Sequence, residues 1–279
     1  MKQKLKILAN QKILRILTLF YLFLFFSTSF FCATSSQVTH LSEKKLTPVR
    51  SKEAKLIIKS IKKYNSERAQ TIKAKFNLTS NLNNKYFKFS GQLEYSLPQK
   101  RLFLNLVDFI FKSPILSLFQ EEQNLKIHLP KEEAVVLDDV NRFSYFNHLP
   151  VKINSKVIYQ LLINKIPTFS KQSKKFFSQK QDWLIMTVED EKNITKMFFK
   201  KKSKDFFPKE ITLIDKEGNY LTNVIISKNK KNLKKIEIIS ENQNFRAEIN
   251  FKKFWLNRPL KVKKFNKNNL SPNTEFLIF

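Results

Sequence analysis

The fold is decided by residues 85 to 137, and most clearly by the run Phe87-Lys88-Phe89-Ser90-Gly91-Gln92-Leu93-Glu94-Tyr95-Ser96-Leu97. Apolar residues and one glycine occupy every second position of this run, and polar residues occupy the positions between them. Successive side chains of a strand point to opposite faces. The alternation therefore predicts a β-strand with one dry face and one wet face.

The residues that follow predict an antiparallel meander. Pro98-Gln99-Lys100 interrupts the first strand, and a second run with Leu102, Leu104 and Leu106 begins at once. Further apolar runs at 115–120, 125–129 and 134–137 are separated by short segments of proline, polar and charged residues. Connections this short join neighbouring antiparallel strands, so the core of the protein is predicted to be a sheet.

Two amphipathic helices are predicted to accompany this sheet. Apolar residues at helical spacing predict one helix at residues 51–64, before the sheet, and another at 155–164, in its middle. Residues 168–181 are polar and basic and are predicted to form a loop. Strand patterns then resume, which gives about 11 to 12 strands in total. The later ones are predicted at 183–188, 194–199, 211–214, 220–226, 233–239 and 245–251.

The N-terminal residues 1–33 predict a signal peptide. Basic residues precede an apolar stretch from Ile16 to Phe26, and the small residues Ser27, Thr28 and Ser29 follow it. The alternative is a transmembrane anchor at residues 13–31, since about 19 residues come near the length that spans a bilayer. Either arrangement predicts that the rest of the chain leaves the cytoplasm. Residues 34–49 are polar and unpatterned and are predicted to be a linker.

Cys32 is the only cysteine, which excludes an intramolecular disulfide and a cysteine-based metal site. It ends the apolar export segment and precedes Ala33-Thr34-Ser35-Ser36-Gln37, a pattern similar to the lipid-modified cysteine of a lipoprotein. Cys32 is therefore a candidate lipid anchor. Phe31 departs from this pattern, because the residue before such a cysteine is normally small. The alternative is plain cleavage near Ser29 or Ser35, which leaves no anchor.

The formal net charge of +29 would make nucleic acid the first partner to consider in a cytosolic protein. Export argues against that partner, so we predict no binding of nucleic acid. Lys, Asn, Ile and Phe are abundant together, which an AT-rich genome produces through its codons, so this bias can account for part of the positive charge. The remaining charge favours an anionic membrane surface as the partner. The chain has two glycines, which excludes glycine-rich phosphate loops, and no nucleotide cofactor is predicted.

The sequence carries no pattern typical of catalysis or metal binding. His40, His128 and His148 do not lie at metal-ligand spacing from another His, Cys or carboxylate pair. A Gly-x-Ser-x-Gly nucleophile turn is absent as well. Acidic pairs such as Asp138-Asp139 are predicted to lie in solvated turns at strand ends. We therefore predict a binding protein that is not an enzyme and holds no metal or cofactor, ahead of an enzyme that acts on lipid or glycan.

The succession of these strands resembles the lipoprotein localisation family, which comprises the periplasmic carrier LolA and the outer-membrane receptor LolB. The similar segments are residues 89–98, 100–104, 114–118, 125–130 and a closing segment from Phe251 through Asn257-Arg258-Pro259-Leu260. The resemblance covers residues 50–265 and leaves 266–279 as a tail or an edge strand. It implies an α+β fold, a strongly curved, unclosed antiparallel β-barrel whose concave apolar face is covered by helices.

The resemblance also implies that the space between sheet and helices holds acyl chains of a lipoprotein or lipid, for lipoprotein transfer to, or insertion into, the outer membrane. Each methylene removed from water is worth about 0.8 kcal/mol, so such binding needs no catalytic residue. The alternative is a structural or interaction lipoprotein of the envelope whose own side chains fill the core. The predicted cavity-lining residues are Phe87, Phe89, Leu93, Tyr95, Leu102, Leu104, Leu106, Ile158, Leu161 and Leu162.

The segment Phe109-Ile110-Phe111-Lys112 is unusual because it places three large apolar residues at a turn between strands. In receptor-type relatives the corresponding loop is a protruding apolar tip that touches the membrane. The resemblance thus implies a membrane contact by Phe109, Ile110 and Phe111, with Lys112 facing lipid phosphates. The alternative is that these residues extend the strand into the core.

The partners predicted on these grounds are lipoprotein acyl chains or lipid, an anionic membrane surface, and a lipoprotein-release transporter or carrier. The predicted location is the periplasm or the periplasmic face of the outer membrane. The protein would be lipid-anchored there if Cys32 is acylated.

Overall fold

The computed structural model describes residues 47–49, 51–82, 85–142, 155–170, 172–190, 193–201, 206–229, 232–240 and 245–279. The predicted signal peptide, Cys32 and most of the predicted linker lie outside these ranges. The alternative membrane anchor at residues 13–31 lies outside them too. Within the described ranges, no helix combines the length and the hydropathy that crossing a bilayer requires.

The described residues form two α-helices and fifteen strands. The helices are α1, Ser51–Ser66, and α2, Ser155–Leu162. Two short 3-10 helices lie at Pro130–Glu132 and Lys267–Asn269. The strands are β1 Thr47–Pro48, β2 Thr71–Leu82, β3 Lys85–Ser96, β4 Arg101–Asp108, β5 Pro114–Glu121, β6 Asn124–Leu129, β7 Ala134–Asp139, β8 Lys174–Lys180, β9 Trp183–Glu189, β10 Asn193–Lys200, β11 Glu210–Asp215, β12 Tyr220–Asn229, β13 Asn232–Ser240, β14 Phe245–Leu256 and β15 Glu275–Ile278.

All fifteen strands belong to one sheet, in the order β1-β8-β9-β10-β11-β12-β13-β14-β2-β3-β4-β5-β6-β7-β15. The sheet consists of two meanders, β2 to β7 and β8 to β14, which join where β14 pairs with β2. Its two ends, β1 and β15, do not pair with each other. The curved sheet is therefore unclosed, and the predicted α+β, unclosed-barrel fold is confirmed.

Three strands lie where the sequence patterns predicted none or left the choice open. β1 falls in the predicted linker, β8 in the predicted loop 168–181, and β15 in the predicted tail or edge strand. β15 runs parallel to β7, so the sheet is not purely antiparallel. β8 and β15 lie next to or at the sheet's ends and have no buried residue, so they lack the alternation of buried and exposed side chains that identifies a half-buried strand. β1 is only two residues long.

The hydrophobic core lies between the sheet and the two helices. α1 contributes Ile57 and Ile61, and α2 contributes Val157 and Leu161, all at most 7% exposed. Gly91 faces Phe76 on the neighbouring strand, and a Cβ at this position would lie 2.1 Å from the Phe76 ring. Glycine is required here because the aromatic ring lies directly over its backbone.

Residues 257–274, which we call the C-terminal strap, carry the chain from β14 across the outside of the first meander to β15. The Gln99 amide donates to Leu260 O at 3.4 Å, and the Phe265 ring packs 5.5 Å from that of Phe119. Glu94 and Phe103 on the predicted wet face are only 3% and 4% exposed. The outer face of β3 and β4 is thus partly covered, which the alternation of the sequence did not predict.

Candidate functional site

The predicted cavity-lining residues divide into three groups in the structure. Leu93, Tyr95, Leu102 and Leu161 are at most 4% exposed and lie in the core between sheet and helices. Four others are partly buried and pack against that core: Leu104, Leu106, Ile158 and Leu162. Phe87 and Phe89 share the same face of β3 but lie outside this core cluster, with their rings stacked at 6.5 Å.

The two helices are tied to each other at their C-terminal ends. The Asn65 side chain donates to Ile166 O at 3.0 Å and accepts from Ile166 N at 2.9 Å. The Tyr64 hydroxyl donates to the Asn164 side chain at 3.2 Å and accepts from Lys228 Nζ of β12 at 2.8 Å. Because α1 holds the segment that follows α2, the two helices form one joint cover over the concave face.

Side chains almost fill the space under the α2 part of this cover. Between α2 and the second meander, the described residues leave a cavity of about 10 Å³ next to Val157 and Ile158. A volume of this size holds at most one water molecule. Beside Val157 and Ile158, an acyl chain can therefore enter only if α2 moves away from the sheet.

A larger cavity of about 610 Å³, which we call the mouth, opens where β3 turns into β4 and β5 turns into β6. Tyr95 is the one predicted cavity-lining residue that faces it. α2 closes one side of the mouth through Tyr159, whose hydroxyl donates to Gln120 Oε1 at 2.6 Å. The mouth is lined by Tyr95, Leu97, Lys100, Gln120, Glu122, Gln123, Asn124, Asp139 and Tyr159.

Two tyrosine hydroxyls at the mouth are held in the neutral form. Burial, together with the nearby Tyr95, raises the pKa of Tyr159 to about 12, although Gln120 and Arg68 oppose the shift. Burial also raises the pKa of Tyr95, against the pull of Arg68, which donates to its hydroxyl at 3.3 Å. Both hydroxyls therefore stay protonated, and the one hydrogen of the Tyr159 hydroxyl is donated to Gln120.

The turn between β4 and β5, which we call the tip, presents apolar side chains to solvent. Ile110 and Phe111 are 76% and 81% exposed. The Asp108 carboxylate accepts from the backbone N–H groups of both residues at 2.8 Å, which fixes the turn. The alternative prediction, that these residues extend the strand into the core, is wrong for Ile110 and Phe111.

The other two predicted tip residues flank this exposed pair. Phe109 is partly buried, and its ring lies under the ammonium groups of Lys88 and Lys112, at 3.9 and 4.7 Å from the ring centre. Lys112 Nζ also donates to Phe109 O. The tip thus combines two exposed apolar side chains with two lysines directly beside them.

The tip and the mouth lie at opposite ends of β4. Arg101, at the start of the strand, follows the turn that lines the mouth, and Asp108, at its end, opens the tip. At about 3.3 Å per residue the two features are about 23 Å apart along the strand. A membrane touched by the tip is therefore not directly under the mouth.

The acidic and histidine residues of the described ranges are spread over several elements. No group of three or more His, Cys, Asp or Glu side chains that could hold a metal ion is present there. Asp139 Oδ1 accepts from the backbone of Asn141 in a turn. His128 is partly buried, and this burial lowers its pKa. His40 and His148 lie outside the described residues.

The mouth was not predicted from the sequence. Its lining comes from polar turn residues after β3 and β5, which in sequence look the same as solvated turns. Its position becomes visible only when the register brings the β3–β4 and β5–β6 turns next to Tyr159 of α2.

Comparison by sequence finds no family model and no curated protein that matches this chain. Solved structures do match. A LolA superfamily protein from Nitrosomonas europaea aligns with a TM-score of 0.52 at 10% identity, over 78% of this chain and 99% of that chain. A domain from Vibrio parahaemolyticus assigned to outer membrane lipoprotein sorting aligns with a TM-score of 0.56 at 9% identity, over 76% and 96%.

A third solved structure, a DUF1329 family protein from Desulfovibrio piger, aligns with a TM-score of 0.57 at 10% identity, over 81% of this chain and 100% of that chain. All three matches cover nearly the whole of the solved chains at very low identity. They establish a shared architecture of sheet and covering helices. This chain therefore has a LolA-like fold.

Proposed function

We propose that this chain is a non-enzymatic protein of the bacterial envelope that binds acyl chains of lipoproteins or lipids, for lipoprotein transfer to, or insertion into, the outer membrane. The observation that carries the proposal is the apolar concave face, closed by two helices that are hydrogen-bonded to each other. The fold shared with a lipoprotein-sorting domain supports it.

The energies of opening and binding are of similar size. Exposing Ile57, Ile61, Val157 and Leu161 costs about 6–12 kcal/mol, at about 1.5–3 kcal/mol for each large aliphatic side chain. Burying a palmitoyl chain returns about 12 kcal/mol, at about 0.8 kcal/mol per methylene. Because the two terms are of the same order, one acyl chain can replace the helical cover reversibly. Reversible exchange is what a transfer protein needs.

The tip supplies the contact with the acceptor membrane in this proposal. Ile110 and Phe111 insert among the acyl chains at the bilayer surface, while Lys88 and Lys112 lie beside lipid phosphates. The mouth, at the other end of β4, faces away from that membrane and receives cargo from a lipoprotein-release transporter or carrier. Cys32, if acylated, anchors the protein at the periplasmic face of the outer membrane.

Binding of a fluorescent fatty-acid analogue tests the central claim. Leu104→Asn places an amide on the half-buried concave face and is expected to weaken binding about tenfold, the cost of an unpaired polar group. Leu260→Asn makes the same change on the strap and serves as the matched control. If wild-type protein binds no analogue and carries no lipid in native mass spectrometry, the proposal is wrong.

The second candidate function is a structural or interaction protein of the envelope with a filled core. The nearly filled space between α2 and the sheet favours it. The same native mass spectra separate the two functions, because a filled core predicts lipid-free protein even after purification in mild detergent.

A further inference from the structure

α1 has two opposite faces of different character. Its apolar face packs into the core, where Ile57 and Ile61 are 5% and 7% exposed. On the opposite side, lysines recur at intervals of three, four or one residues and form one continuous exposed band. We call this band the lysine stripe, and its members are Lys52, Lys55, Lys59, Lys62 and Lys63.

The stripe is long, straight and nearly unopposed. At 1.5 Å per residue it extends about 17 Å along the helix. The acidic residues on or next to α1 are Glu53 and Glu67, and Glu67 lies 3.8 Å from Lys63. Both side chains of that pair are at least 65% exposed, so the pairing is weak. The face keeps a clear positive excess.

The chemistry of the stripe fits a flat anionic surface. Lysine ammonium groups are hydrated point charges on flexible stems, which suit many phosphate positions equally. The stripe has no arginine fork for bidentate recognition, and Leu56, at its edge, is 62% exposed. Exposed lysines around an exposed leucine match the head-group layer of a bilayer, where each lysine is attracted to anionic lipid.

We propose that the lysine stripe binds this protein to the surface of an anionic bilayer, with the helical cover facing the lipid. This contact is independent of the acyl-chain binding proposed above, because every residue it uses lies on the outside of α1. It differs from the tip in kind as well. The tip acts through apolar insertion, whereas the stripe acts through charge and therefore weakens as salt is added.

The adsorption also bears on the cover itself. α1 is joined to the segment after α2 through Asn65 and Ile166, so a bilayer that holds α1 lies against the whole cover. The surface of the protein that must move to admit a ligand is then the surface nearest the lipid.

The experiment measures partition onto vesicles of equal parts phosphatidylglycerol and phosphatidylcholine. It uses the Ile110→Ser, Phe111→Ser background, in which the apolar tip is removed. In that background Lys55→Gln, Lys59→Gln and Lys62→Gln together are expected to lower partition about tenfold or more at low salt. Glutamine has nearly the helix propensity of lysine, so α1 stays folded.

The matched control removes the same charge elsewhere. Lys252→Gln, Lys253→Gln and Lys261→Gln change three exposed lysines on β14 and the strap, and little loss of partition is expected. Equal losses in both variants, or no loss in the stripe variant, overturn the proposal, and the second outcome leaves an acidic protein as the partner of the stripe. Binding of the fatty-acid analogue by the same variants is expected to be unchanged, which keeps this test separate from that of the interior.

Discussion

The two ends of β4 show how one short strand serves two different surroundings. At the tip, the Asp108 carboxylate satisfies the backbone of the turn, and Ile110 and Phe111 extend into solvent. At the mouth, the tyrosine hydroxyls of Tyr95 and Tyr159 and polar turn side chains surround a cavity of about 610 Å³. One end exposes apolar side chains, and the other is lined mostly by polar side chains.

The difference shows that turn residues can be apolar when the backbone N–H groups of the turn find hydrogen-bond acceptors within the turn itself. Burying the tip in lipid does not leave the N–H groups of Ile110 and Phe111 without an acceptor, because the Asp108 carboxylate lies within the same turn. At the mouth, by contrast, backbone and side chains share their hydrogen bonds with neighbouring strands and with α2. The proposed function therefore assigns membrane contact and ligand exchange to opposite ends of β4.

The largest expected effect comes from removing the apolar tip. Changing Ile110 and Phe111 together to Ser is expected to reduce partition onto lipid vesicles about 100-fold, since two inserted side chains are worth about 1.5 kcal/mol each. Both residues are exposed, so the free energy of unfolding is expected to change by less than about 0.5 kcal/mol.

The control for the tip is a pair of exposed phenylalanines elsewhere. Phe176 and Phe276 are 50% and 43% exposed, on β8 and β15. Changing both to Ser removes a similar apolar area and is expected to leave vesicle partition within a factor of about two. If this pair matters as much as the tip, the contrast between the two ends of β4 does not govern membrane contact.

The second effect concerns the mouth and appears at high pH. The pKa of Tyr159 is raised from 10.0 to about 12, so the folded state keeps a proton that the unfolded chain releases. Stability should therefore be unaffected below pH 10 and should fall between pH 10 and 12, by about 2 kcal/mol. Tyr159→Phe lacks this titration. Chemical denaturation of both proteins across this range should show wild type losing more stability than the variant.

The same variant tests whether the mouth and the tip, at the two ends of β4, act independently. Tyr159→Phe leaves Gln120 Oε1 without its donor and is expected to cost about 1 kcal/mol at neutral pH. Vesicle partition should remain at the wild-type value, because the tip is about 23 Å away. A variant that lost membrane contact as well would mean that the cover and the tip move together.

The sequence was sufficient for the features that depend on local pattern. Alternation from Phe87 to Leu97 placed Leu93 and Tyr95 in the interior, where they are 0% and 4% exposed. Three apolar residues at a turn identified the tip as unusual. The helices at 51–64 and 155–164 were close to Ser51–Ser66 and Ser155–Leu162. Each of these features follows from residues that are near one another in the chain.

What the sequence did not predict depends on pairing between distant segments. β15 is a strand because it pairs with β7, which lies about 140 residues earlier in the chain. None of its own side chains is buried, so its sequence shows no buried face. Glu94 is buried although it belongs to the polar set of β3. The mouth requires the β3–β4 and β5–β6 turns to meet α2. The alternation of residues within one segment does not indicate which distant segments will contact each other.

The smallest of the three expected effects comes from changing Asp108, which fixes the turn at the tip. Asp108→Ala removes the acceptor of two backbone N–H groups and is expected to lower stability by about 1 kcal/mol. A less ordered tip must also be fixed when it inserts, so vesicle partition should fall about fivefold. Asp108→Asn keeps a side-chain oxygen at the same position and should restore both quantities. If Asn restores stability but not partition, the charge of Asp108 rather than the order of the turn governs insertion, and the tip acts together with Lys88 and Lys112 as a charged unit.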